Sequence, residues 1–275
     1  MIIDSHVHYG NSFWGNFPPE FLINILGDSV DMAICSNLEG IDSGTFKDEL
    51  ACNLEMLDVA KKYHQLKALA VCQPNNMPNA DNIRYLLKEH KEFIGLKLHP
   101  ECMKLPADSN KYDDYLNVAQ EFNKPCLYHS GHIKSRFSSP ELIYKKAKEF
   151  PTVPIILGHL STGPKASHEA ATEILIDSIE TNSANLYVDV SWIDFGTGNL
   201  DDTIYLIEKL KHTQKGDFTH KILWASDAPV GEFNQIPDLY KNNLENFKEK
   251  IQKHFNDNQL LENLLCNNAR ELYGI

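Results

Sequence analysis

Short apolar runs recur along the chain at nearly even intervals: MIIDSHVH, DMAICSN, LKALAVCQP, FIGLKLHP, PCLYHSG, PIILGHL, NLYVDVS and KILWASDAP. They start near residues 1, 31, 66, 93, 125, 154, 185 and 221, a spacing of about 30 residues that fits one strand and the helix returning from it. The segments between them carry the other period. Leu50, Leu54, Leu57 and Ala60 recur at helical spacing, SSPELIYKKAKEF opens with a serine cap and Pro140 in its first turn, and NLDDTIYLIEKLKH repeats the pattern before the last run. Eight strands alternating with helices predict a parallel sheet closed into a (β/α)₈ (TIM) barrel, an α/β fold occupying 1–275 as one domain. A doubly wound open sheet is the structural alternative, but it usually shows a glycine-rich phosphate turn after the first strand, where this chain has HVHYGNSFWG.

The polar residues that interrupt the runs fall at strand ends. His6 and His8 close the first, Lys97 and His99 the fourth, His129 the fifth, His159 the sixth and Asp227 the eighth. In a parallel barrel these C-terminal ends converge on one rim, where the chemistry belongs. Side chains two apart on a strand share a face, so His6 and His8 have chelating geometry. Asp4 is expected on that same face one pair deeper, as a carboxylate accepting a ring N–H. Asp189, sharing a face with Ser191, is another candidate acceptor.

Composition narrows the partners. With 26 Lys+Arg against 38 Asp+Glu the formal charge is -12, which disfavours nucleic acid and anionic lipid. The absence of a long apolar run and of a basic-then-apolar leader predicts a cytoplasmic protein. Six scattered cysteines without C-x-x-C spacing read as buried thiols.

Taken in order, DSHVH, GLKLHP, YHSG, ILGHLS, YVDVSW, ILWASDAP and NNARELYG resemble the amidohydrolase superfamily, and within it the amidohydrolase-related branch that includes aminocarboxymuconate-semialdehyde-decarboxylase-like enzymes. The resemblance implies a metal-dependent barrel enzyme in which His6, His8, His129 and Asp227 bind one divalent ion and His159 is a second-metal ligand or an acid/base. It implies Zn²⁺ first, with Mn²⁺ as an alternative, and one or two ions per chain. It also makes Lys97 a candidate for carbamylation and bridging; a displaced lysine paired with an anion, a deprotonated amine, or a lysine snorkelling to the barrel mouth are the other states. The chain departs from the family pattern at GHLST and WASDAP, differences that bear on the substrate.

His99, Trp14, Trp192 and Arg136 are candidate substrate-binding residues, Arg136 for a carboxylate, with Phe13 beside Trp14 at the mouth and His132 three residues beyond His129. The expected reaction is hydrolysis of an amide, ester or lactone of a small carboxylated molecule, with Asp227 as proton acceptor and His159 and Lys97 as further catalytic candidates. A decarboxylase or hydratase on the same scaffold is the rival enzyme, and an inert metal-binding protein the non-enzyme alternative. A homo-oligomer is left open.

Overall fold

Each apolar run becomes one strand. In a computed structural model that describes every residue except 43, 45, 46, 77, 192–199 and 232–237, β1 (Ile3–Ser12) carries a short antiparallel partner, β2 (Gly15–Phe17), on its far end. The sheet continues from β1 through β3 (Met32–Asn37), β4 (Leu66–Val71), β5 (Phe93–Leu98), β6 (Cys126–Tyr128), β7 (Ile155–Leu157), β8 (Leu186–Asp189) and β9 (Ile222–Leu223), each parallel to its neighbour. The strand segment beyond β9 closes the circle on β1. Ser5 N donates to Trp224 O (3.1 Å), Asp227 N to His6 O (2.9 Å) and His8 N to Ala228 O (2.7 Å). The fold is the expected TIM barrel, and closure itself sets Asp227 beside the two histidines of β1.

Helices cover the outside. They are α1 (Pro19–Leu26), α2 (Glu49–Lys62), α3 (Ala80–Glu89), the single turn α4 (Pro100–Met103), α5 (Asp113–Glu121), α6 (Pro140–Glu149), α7 (Lys165–Thr181), α8 (Asp201–Lys211), α9 (Leu239–Phe255), α10 (Asn258–Glu262) and α11 (Asn268–Tyr273). Their starts follow local chemistry. The Asp48 side chain accepts from Ala51 N and that of Asn79 from Asp81 N, satisfying amides that no helical carbonyl reaches. At α6 the expected serine holds the cap position and Pro140 the first turn, but the Ser139 hydroxyl makes no capping bond.

Inside the barrel every strand of the circle contributes one side chain to a common floor: Ile3, Ile34, Leu69, Ile94, Leu127, Ile156, Tyr187 and Leu223. Cys266, Ala269 and Tyr273 of the C-terminal helices pack against it. Burial of each large side chain is worth about 1.5–3 kcal/mol, and together they seal the N-terminal end. The polar residues stand above this floor.

Two irregularities set which residues face inward. On β1 the register advances from Asp4↔Ala33 to Val7↔Cys35, three residues against two, and β5 has a similar shift where Ala68↔Phe93 gives way to Leu69↔Gly95. Each is a bulge that inserts one residue and breaks the two-residue alternation. At Gly95 a Cβ would lie 2.7 Å from Pro125 O, so the close approach there needs a glycine.

Candidate metal centre

The β1 bulge overturns one expectation. Asp4 does not share the face of His6; it points outward, where its carboxylate accepts from Tyr240 OH (2.8 Å), Ser226 Oγ (2.6 Å), Ser226 N (3.1 Å) and His6 N (3.2 Å). The ring of His6 is held instead by Asp189, at 3.0 Å from Nδ1 to Oδ2. The other acidic oxygen, Oδ1, accepts from the backbone of His159 (2.9 Å), from the backbone of Ser191 (3.1 Å) and, at close range, from Ser191 Oγ.

These bonds assign protons. An ionised Asp189 can only accept, so His6 carries its proton on Nδ1 and presents the bare Nε2 inward. Ser191 spends its hydroxyl proton on Asp189 and so accepts at Oγ from His159 Nδ1, 2.8 Å away. The Nε2 of His159 is then also bare, and His129 Nδ1 donates to it over 3.2 Å. On the opposite side His8 Nε2 lies 3.1 Å from Asp227 Oδ1 and its Nδ1 2.9 Å from Ser36 Oγ. His6 Nε2 is 3.4 Å from the same Asp227 oxygen.

One ligand atom each from His6, His159 and Asp227 lies within 4.8 Å of the other two, with all three residues buried. Two imidazoles and a carboxylate fit a divalent ion that keeps an open position. Of the expected ligands, His8 and His129 are not in this trio; each instead hydrogen-bonds a member of it. Lys97 is 1% exposed, and its Nζ meets His6 Nε2 at 2.6 Å. Amine and ion compete for that one lone pair.

The family model for amidohydrolases matches residues 3–275. The chain belongs to the amidohydrolase family. No curated protein matches it. Among solved structures this amidohydrolase is similar to a probable 2-pyrone-4,6-dicarboxylic acid hydrolase from Acinetobacter baumannii (16% identity, 100% of this chain and 99% of that one, TM-score 0.73). It is similar also to 5-carboxyvanillate decarboxylase from Sphingomonas paucimobilis (12% identity, 100% and 99%, TM-score 0.65) and to 4-oxalomesaconate hydratase from Rhodopseudomonas palustris (15% identity, 100% and 96%, TM-score 0.63). At these identities the likeness is one of fold, and the family is one of metal-dependent enzymes.

Electrostatics in this amidohydrolase favour ligation. Burial pushes the pKa of His6, His8, His99 and His159 below the usual histidine value, and that of His129 down to about 3, with the Lys97 charge adding to each and neighbouring imidazoles counting for more than Lys97 at His99 and His159. The rings are therefore neutral, the state that binds a metal. Burial also lowers Lys97 to about 8 against the opposing pull of Asp227 and Asp189, and raises the carboxyl of Asp227 above its ordinary value.

His8, Lys97, His99, His129, His159 and Asp227 line one side of a cavity of about 110 Å³, faced by Trp14, Leu38, Ile41 and Val230. His99 stacks on His129 with ring centroids 4.0 Å apart, and Trp14 lies 6.4 Å from His99. Trp14 stacks in turn on the exposed Phe13. Arg136 is outside this cavity, in an adjoining one, and Trp192 lies outside the described residues. His159 (φ 64) and Asp227 (φ 66) both take left-handed backbone, a conformation that costs a non-glycine residue of order 1–3 kcal/mol and gathers at functional sites. Sequence reasoning missed Ser36 and Leu38 at the site. A serine inside an apolar strand was the one available signal for the first.

Proposed function

We propose that this chain is a divalent-metal-dependent hydrolase that activates water to cleave an amide, ester or lactone of a small carboxylated substrate. One observation carries the reading: His6, His159 and Asp227, neutral or carboxylate, buried and oriented by their own partners, converge beside an open cavity that His159 and Asp227 line. Zinc suits a set of two imidazoles and one carboxylate, and when bound it supplies Lewis acidity toward a water and a carbonyl. His8 and His129, one bond away from the trio, complete the proposed ligand set.

This chain's residues supply the proton chemistry. Asp227 accepts the proton of the attacking water at its carboxylate and returns it to the leaving group; its upward shift on burial brings it toward the pH at which such exchange is efficient. His159, whose Nδ1–H is held by Ser191, offers its bare Nε2 as a ligand to the first ion, to a second one, or as a proton acceptor. Lys97 is poised beside His6, and carbamylation would convert it from a competitor for Nε2 into a bridging ligand. Trp14 and His99 form the wall on which substrate rests, and Arg136, in the adjoining cavity, receives a carboxylate. The acidic surface and six free, buried thiols support a cytoplasmic location.

Reaction of the zinc-loaded protein with small lactones, esters and amides in ¹⁸O water tests this. Hydrolysis puts one labelled oxygen into the cleaved product, and Asp227→Asn lowers the rate by about 10² to 10⁴ even when added zinc restores its metal content. Release of carbon dioxide from a carboxylated substrate without label, or addition of water to an uncleaved one, would overturn hydrolysis in favour of a lyase.

A further inference from the structure

A second cavity, about 580 Å³, opens beside the first and shares His129 and Thr162 with it. Its walls come from the turn after β5 and the loop between β6 and α6, and they carry Lys104, Lys134 and Arg136. In a chain of net charge -12, three exposed cations gather at this one mouth. Lysines close by are paired: Lys145 with Asp108 at 2.7 Å, and Lys146 with Asp113 at 2.7 Å. Lys104, Lys134 and Arg136 have no carboxylate within 4.0 Å among the described residues.

The one carboxylate in the wall is already committed. Glu101 Oε2 accepts from Ser135 Oγ (2.6 Å) and Ser138 Oγ (2.9 Å), which ties this carboxylate to the loop and leaves three cations against one anion in the wall. The loop is pinned at further points: Ser135 Oγ accepts from Phe137 N (3.1 Å) and Ser138 N (3.0 Å), His132 Nδ1 from Lys134 N (2.9 Å), and Ser167 Oγ from Ile133 N (3.1 Å). Arg136 lies over the Phe137 ring at 4.7 Å, and Lys104 approaches the same ring at 5.8 Å. The backbone that carries the cations is thus ordered before anything binds, which lowers the cost of binding.

We propose that this annex binds a second carboxylate, distal to the reacting group, so that the preferred substrate is a dianion lying across His129 with one end in each cavity. The inference rests on the hydrolase reading for the identity of the first cavity. Lys104 and Lys134 are specificity-determining residues in it, alongside Arg136.

The test compares zinc-loaded protein binding glutarate, adipate and pimelate with binding of their half-amides, by calorimetry at low and at 0.5 M salt. At least one dicarboxylate should bind roughly tenfold tighter than its half-amide, an advantage sized for a few partly solvated charge pairs and diminished by salt. Lys104→Gln/Lys134→Gln and Arg136→Gln should each reduce that advantage while zinc content stays unchanged. Equal binding of dianion and half-amide, no binding of either, or an advantage that survives both variants would overturn the annex. Zinc content measured in the same samples separates this from failure of the metal-enzyme reading, which would show as protein that takes up no ion.

Discussion

One buried carboxylate, Asp189, sets the proton on two rings, His6 directly and His159 through Ser191. Losing it frees both imidazoles to adopt the wrong tautomer, and outer partners of this kind typically account for 10- to 100-fold in metal affinity. Asp189→Asn should therefore weaken zinc binding by about that factor in chelator competition, with the far-UV spectrum unchanged; unaltered affinity would show that the rings are oriented by packing alone. The sequence brought the histidines of the strand ends to one rim because burial there is visible in apolar runs. It misplaced Asp4, because a bulge is one inserted residue with no compositional mark, and every side chain before it changes face. Nor could a linear pattern show the left-handed backbone at His159 and Asp227, which depends on partners such as Asp189 Oδ1 for His159 N and His6 O for Asp227 N.

Among elements, α2 carries a buried acid at its first position. Glu49 accepts from Gln73 N (2.7 Å) and Tyr115 OH (2.7 Å), yet burial outweighs these bonds and raises its pKa from 4.5 to about 7. The folded state thus holds this proton more tightly than the unfolded chain. Its contribution to stability is complete below about pH 4.5 and is lost as pH rises through about 7. Glu49→Gln keeps an acceptor and removes the ionisation, so its melting temperature should gain on that of the wild type between pH 5 and pH 8. Parallel melting curves across that range would contradict the assignment. Strand positions were legible to within two residues or so, since β5 begins at Phe93 and β7 at Ile155. The hairpin strand β2 and the docking of Tyr273 under the floor were not, because neither has a period of its own and both are fixed by long-range packing.

On the scale of the whole molecule, the barrel is sealed at one end by the ring of aliphatic side chains and Tyr273 and open at the other, where every polar strand end meets. No described helix is long and apolar enough to cross a membrane. The closure of the last strand segment onto β1 is what makes residues more than two hundred apart into one donor set, the set proposed to bind a divalent ion. The most direct measurement is elemental analysis of protein purified without chelators and dialysed against zinc, for the wild type and for His6→Ala and His8→Ala. One to two ions per wild-type chain are expected, with near-complete loss in His6→Ala, whose ring belongs to the donor trio, and reduced occupancy in His8→Ala. Full, stoichiometric metal retained in both variants, or none in the wild type, would contradict metal binding by this set.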